Sequence, residues 1–163
     1  MQKRTGGSYG NCHKGVYEVK NPQKYIGNKA PIFRSQWEKA CMSALDMSNK
    51  VVAWTSEQPE IPYIHPVRSQ EEGRQIIWKY HPDFLVKMQD GSFELIEIKP
   101  SKQTIAPKGM CKGRSKLLVE NETKTYAVNA AKWQQAIKFC EEKGWKFRII
   151  TEKTIGIYIN SIR

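Results

Sequence analysis

Two carboxylates and an amine stand close together in this chain, in Pro82-Asp83-Phe84 and in Ile96-Glu97-Ile98-Lys99-Pro100. Carboxylate oxygens suit Mg²⁺, which keeps several waters and takes one or two protein carboxylates plus substrate phosphate; Mn²⁺ is the expected substitute. Such an ion polarises a phosphoryl oxygen, lowers the pKa of a bound water, or both. A neighbouring amine orients or helps deprotonate that water, or stabilises charge that builds at phosphorus. The competing reading is a strand ending in Glu-Ile-Lys whose charges lie exposed at a sheet edge.

The chemistry requires all three groups on one face. In a strand over 92–99, Phe93, Leu95, Glu97 and Lys99 point the same way, because side chains alternate with period two. Asp90-Gly91 between this run and 82–88 predicts a β-hairpin. A two-residue turn there sets Asp83 opposite Ile98, facing away from Glu97. A three-residue loop, Gln89-Asp90-Gly91, pairs Met88 with Ser92 and therefore Asp83 with Glu97, with Gly91 at the left-handed position such a loop demands. The turn chemistry is consistent with the second register without proving it.

Around the hairpin, Phe33, Trp37, Cys41, Ala44 and Leu45 recur at helical spacing and predict a helix over 33–47. Short β-type runs follow at 51–55, 61–64 and 75–80, with 65–74 read as a loop. Residues 102–125 lack a period and read as a loop or flap rich in lysine. A second helix is predicted over 127–143, with Ala130, Trp133, Ile137 and Cys140 on one face and Gly144 as its cap. Strands at 145–151 and 155–159 close the chain. Trp37, Trp54, Trp78 and Trp133 fall on helix or strand faces and read as core. Residues 1–31 carry no clear period and read as an irregular basic arm, leaving 32–163 as one domain.

The chain carries 27 Lys and Arg against 16 Asp and Glu, a net charge of +11 over 163 residues. That balance calls for a polyanionic partner. No apolar run approaches a membrane span and no secretory segment is visible, so nucleic acid is the expected partner rather than a membrane surface. Cys12, Cys41, Cys111 and Cys140 form no CxxC pair, and with His13, His65 and His81 they make no zinc-ligand spacing.

The segments Phe33-Arg34-Ser35-Gln36-Trp37-Glu38, Ala53-Trp54-Thr55-Ser56-Glu57, Ile61-Pro62-Tyr63, Pro82-Asp83-Phe84 and Ile96–Pro100 resemble the PD-(D/E)XK nucleases. Asn129 through Lys132-Trp133 and Lys146–Glu152 extend the likeness. Within that superfamily the sequence is similar to TnsA-type transposon endonucleases, to phage junction-resolving endonucleases, and most to the head-completion nucleases of large tailed phages. The resemblance implies an α/β fold with a mixed central β-sheet flanked by helices, a restriction-endonuclease-like core, and Mg²⁺-dependent DNA cleavage that leaves a 5′ phosphate. It carries metal-binding roles to Glu38, Asp83 and Glu97, with the Ile98 carbonyl as a further oxygen ligand, and the catalytic lysine role to Lys99. It also implies work on packaged DNA in the host cytoplasm, in company with capsid or portal proteins or as part of the virion.

Read from the residues alone, Glu38 is otherwise a surface carboxylate paired with Arg34 one turn earlier. Glu57 is a second-site ligand or merely a polar residue ahead of Pro59. Lys3, Arg4, Lys14, Lys20, Lys24, Lys29 and Arg34, then Lys102, Lys112, Arg114 and Lys116, are the candidate phosphate contacts. The alternative for the arm is a solvated tail. For the whole chain it is a catalytically idle DNA-binding or capsid-connector protein on the same fold, or a junction-resolving endonuclease.

Overall fold

The computed structural model describes residues 14–163. In chain order the elements are β1 (Gly15–Val16), β2 (Ile32–Phe33), α1 (Gln36–Met47), β3 (Val51–Ser56), β4 (Ile61–Ile64), α2 (Pro66–Glu72), β5 (Ile77–Tyr80), β6 (Phe84–Met88), β7 (Phe93–Ile98), α3 (Lys116–Lys143), β8 (Lys146–Ile150) and α4 (Ile155–Ile162). A four-stranded mixed sheet in the order β3-β6-β7-β8 forms the centre. Only its β7–β8 pair is parallel, while β1-β2 and β4-β5 make two small antiparallel sheets.

Alternation along the strands divides the core between the two sheet faces. Phe84, Val86, Ile96 and Ile98 pack with Trp54 against Cys41, Met42 and Leu45 of α1 and Tyr158 and Ile162 of α4. Leu95 faces the other way, into a cluster with Ala136 and Cys140 of α3 and with Ile61, Tyr63 and Tyr80 of the β4-β5 hairpin. The sheet is thus flanked by helices on both faces, as expected. Glu97 and Lys99 follow Leu95 onto the α3 side.

The hairpin takes the three-residue loop. Lys87 pairs with Phe93 and Phe84 with Ile96, so the same register continues to Asp83 opposite Glu97. The Met88 N–H donates to the Ser92 carbonyl at 2.8 Å, the Gly91 N–H to the Met88 carbonyl at 3.0 Å, and Gly91 has φ 85°. A side chain at that φ is strained, which is why glycine stands there.

Several expectations are corrected. Residues 65–74 are not a loop but hold α2, opened by the His65 ring nitrogen accepting the Arg68 N–H, by Pro66 in the first turn, and closed by left-handed Gly73. The long helix begins at Lys116 rather than 127, capped by Ser115. Its first turns bury nothing, so no apolar period marks them. They are held instead by local pairs, Lys116 with Glu120 and Arg114 with Glu122. Residues 155–159 belong to a helix, not a strand. Ile155, Tyr158 and Ile162 recur at helical spacing and join the α1 core. Trp78 is not core, being 46% exposed on the β4-β5 hairpin.

The irregular arm is narrowed as well. From residue 14 the chain is laid against the β3 edge. The Ile26 N–H donates to the Trp54 carbonyl and the Trp54 N–H to the Lys24 carbonyl, at 3.0 and 2.9 Å. Tyr17 and Tyr25 set their rings edge-on to Trp54. Asp46, fully buried at the end of α1, gathers the segment by accepting from the Tyr17 hydroxyl at 3.1 Å and from the Lys20 and Asn21 N–H groups at 2.6 and 3.1 Å.

Candidate active site

Asp83 immediately precedes β6, and Glu97, Ile98 and Lys99 finish β7 and step past it. An antiparallel pair brings the start of one strand beside the end of the next, so the hairpin delivers all four residues to one end of the sheet. Asp83 Oδ2 accepts the Ile98 N–H at 2.6 Å. Glu97 is 3% exposed and engaged at both oxygens: Oε2 accepts from the Tyr80 hydroxyl at 2.8 Å and Oε1 lies 3.0 Å from Lys99 Nζ.

The electrostatics follow from this crowding. Burial and then the Glu97 charge push the Asp83 carboxyl well above the usual carboxylate range, against the pull of the Ile98 N–H and Lys99. Asp83 has one peptide donor where Glu97 has a hydroxyl and an ammonium, so Asp83 is the less compensated of the two. Burial opposes the Lys99 ammonium, but Glu97 and Asp83 outweigh it and hold its pKa above the ordinary value. Burial and the Glu97 charge likewise keep the Tyr80 phenol protonated, as a donor.

Glu38 sits at the third position of α1 and makes a capping box. Its N–H donates to Ser35 Oγ at 3.1 Å, while its carboxylate accepts from Ser35 Oγ at 3.0 Å and from the Arg34 N–H at 2.7 Å. Its charge is nevertheless felt at both Asp83 and Lys99. Glu57 touches the site through the main chain, its N–H donating to the Asp83 carbonyl at 3.1 Å. The Glu57 side chain turns to Arg34, 2.5 Å away.

Does this donor set fit a divalent ion? Asp83 and Glu97 converge with one lysine between them and a third carboxylate near, so negative charge is in excess. Among the described residues no three acidic, histidine or cysteine side chains form a ready ligand cage. The set suits an ion such as Mg²⁺ that takes one or two carboxylates and fills its remaining positions with water and phosphate oxygens.

The basic candidates separate into groups. Lys14, Lys29, Lys102 and Lys112 are exposed. Lys20 pairs with Glu18, Arg114 with Glu122 and Lys116 with Glu120. Lys24 is engaged within the fold: its Nζ donates to the Asp46 and Ser48 carbonyls and closes the C-terminal end of α1, and burial lowers its pKa. Lys3 and Arg4 lie outside the described residues.

Tyr80 and Lys132 are additions that reading the residues for chemistry did not single out. The Lys132 ammonium lies 5.7 Å from the Tyr63 ring centre and 5.8 Å from that of Tyr80. Burial depresses its pKa, Glu97 opposes this and Lys99 adds to it, so it stands in the field of the same cluster. Lys132 lies in a segment that extends the family likeness, but a lysine on a long amphipathic helix gives no local sign of its role, which the helix packing reveals.

Two comparisons bear on identity. Residues 48–152 match the family model for the TnsA-like endonuclease N-terminal domain. The chain is also 36% identical over 145 residues to the head completion nuclease of Enterobacteria phage T4, an alignment covering 86% of this chain and 92% of that protein. The matched span contains Asp83, Glu97 and Lys99 together with the whole central sheet, and on this likeness the chain belongs to the TnsA-like endonuclease family.

Proposed function

We propose that the chain is a Mg²⁺-dependent DNA endonuclease that trims or finishes packaged phage DNA during head completion in the host cytoplasm. The observation that carries the reading is the cluster at one end of the sheet: Asp83 at the head of β6, in register with Glu97 near the end of β7, with Lys99 3.0 Å from Glu97. The similarity to a head completion nuclease supports the head-completion setting; contact with capsid or portal proteins is part of the same proposal.

Asp83 and Glu97, with Glu38 and the Ile98 carbonyl beside them, would hold the metal. A bound divalent ion supplies Lewis acidity toward the phosphodiester and toward a water. The Ile98 N–H fixes the Asp83 carboxylate and the Tyr80 hydroxyl fixes that of Glu97, so neither must reorganise when substrate arrives. Lys99, held as an ammonium, is tethered to Glu97 and partly open to solvent, where it orients the attacking water as an N–H donor or offsets charge that builds on the phosphate oxygens. Lys14, Lys29, Lys102 and Lys112 neutralise backbone phosphates, contacts that carry no base information and give little sequence preference.

The test is conversion of supercoiled plasmid in Mg²⁺, with and without EDTA. Nicking or linearisation that EDTA stops is the expected result. Intact plasmid across a Mg²⁺ and Mn²⁺ titration would remove the enzyme reading.

A further inference from the structure

The ammonium of Lys132 is held in an unusual way. It sits over the rings of Tyr63 and Tyr80, at 5.7 and 5.8 Å from their centres. Among the described residues no carboxylate lies within ion-pair distance of it and none accepts a hydrogen bond from it. The nearest acid of the cluster, Glu97, is already engaged by Lys99 and Tyr80. An ammonium drawn partly out of water gains from two ring faces, but those contacts leave its three N–H donors unmet.

The surrounding face of α3 shows the same deficit. Asn129 is buried, and its side-chain N–H₂ has no partner. Asn129 and Lys132 are three residues apart and share a helix face. Lys132, with no carboxylate of its own and lying in the field of Glu97 and Lys99, is placed to meet an anion brought to the acidic centre.

We infer that Lys132 binds a phosphate of the DNA backbone at the cleavage centre, as a second cation on the α3 side, with the Tyr63 and Tyr80 rings as its seat. Lys99 and Lys132 then divide the work. Lys99, paired with Glu97, serves the water and the cluster, and Lys132, with no carboxylate, takes a non-bridging phosphate oxygen. The inference rests on the nuclease reading, because the phosphate it names belongs to that substrate.

The test uses the full chain, a short DNA duplex and Ca²⁺ in place of Mg²⁺, so that binding is read without cleavage. Lys132→Met keeps the aliphatic stem between the rings and removes the charge. It is expected to lower the slope of log affinity against log salt by about 0.9, the share of one neutralised phosphate. In Mg²⁺ its single-turnover cleavage should fall about a hundredfold. Lys132→Arg should restore the slope. In the unaltered protein, bound duplex should shield Lys132 from amine acylation mapped by mass spectrometry, a readout that does not depend on any variant folding. An unchanged slope in a folded Lys132→Met protein, or full acylation of Lys132 with DNA bound, would overturn the inference while plasmid cleavage by the unaltered protein left the nuclease reading standing. Absent cleavage by the unaltered protein would instead defeat that reading.

Discussion

Asp83 Oδ2 accepts the peptide N–H of Ile98 at 2.6 Å, a side chain from the head of one strand bonded to the main chain of its neighbour. The bond holds the carboxylate at the sheet end beside Glu97, at an electrostatic cost. With its pKa raised in the folded state, Asp83 binds a proton over a pH range in which the unfolded chain has already lost it. Folded protein then holds more protons than unfolded, so stability falls as pH rises through that window. In EDTA the protein should therefore melt at lower temperature at pH 8 than at pH 5, and Asp83→Asn should flatten the trend and raise the melting temperature at pH 8. Calorimetry of both proteins across that range checks it; an unaltered pH trend in Asp83→Asn would show that another group sets it.

Activity should move the opposite way. On the proposed reading Asp83→Ala removes a metal ligand, so it is expected to lose about a hundredfold or more in cleavage and to recover part of it at high Mn²⁺. Lys99→Ala is expected to lose as much with no recovery, since the charge it brings to the transition state is missing and no ligand is. Single-turnover rates across a metal titration, beside duplex binding in Ca²⁺, separate the two. Lys99 is paired with Glu97 rather than with a backbone phosphate, so its loss contributes little to counterion release and affinity for Lys99→Ala should stay within about twofold.

Glu38 has two tasks that one substitution can divide. Gln serves in a capping box almost as well as Glu, so Glu38→Gln keeps one oxygen acceptor, for the Arg34 N–H, and loses the second, for the Ser35 hydroxyl, while removing the charge near Asp83. Melting should shift by only a few degrees and cleavage should fall at least about tenfold. Wild-type rates in Glu38→Gln would leave Glu38 as a helix cap and nothing more.

From residue 14 the segment before α1 belongs to the fold, and Asp46 ties it there. Asp46→Ala strips an acceptor from the Tyr17 hydroxyl and from the Lys20 and Asn21 N–H groups, and should cost about 3 kcal/mol. Truncation through Lys29 removes Tyr17 and Tyr25 from the Trp54 ring and should abolish cooperative unfolding. Denaturant titration of both checks this; a sharp transition in the truncated protein would return the segment to the status of a tail.

What was legible in the sequence was local. The hairpin register could be reasoned from Gly91 and the alternation that ends in Glu97 and Lys99, because turn chemistry and a period of two act over neighbouring residues. The first turns of α3 were not legible, since a helix with no buried face leaves no apolar stripe. The placement of Tyr17 and Tyr25 was hidden for another reason: the partners Asp46 and Trp54 are far along the chain. Lys132 belongs with these. Its role depends on which rings the fold sets beneath it, and nothing in residues 129–133 states that.

The parallel edge of the sheet has a consequence for the order of assembly. Asp83 and Ile98 are 15 residues apart, whereas Glu94 of β7 and its partner Arg148 of β8 are separated by 54. A hairpin closes in about 1–10 μs, while pairing across a helical crossover waits on a larger loss of chain entropy. The two carboxylates of the candidate site thus meet in the fast, local event, and α3 arrives with the slow one. During refolding, protection of the β6 and β7 amides should precede that of β8, and the cleavage centre should exist as a pair of acids before its helix covers it.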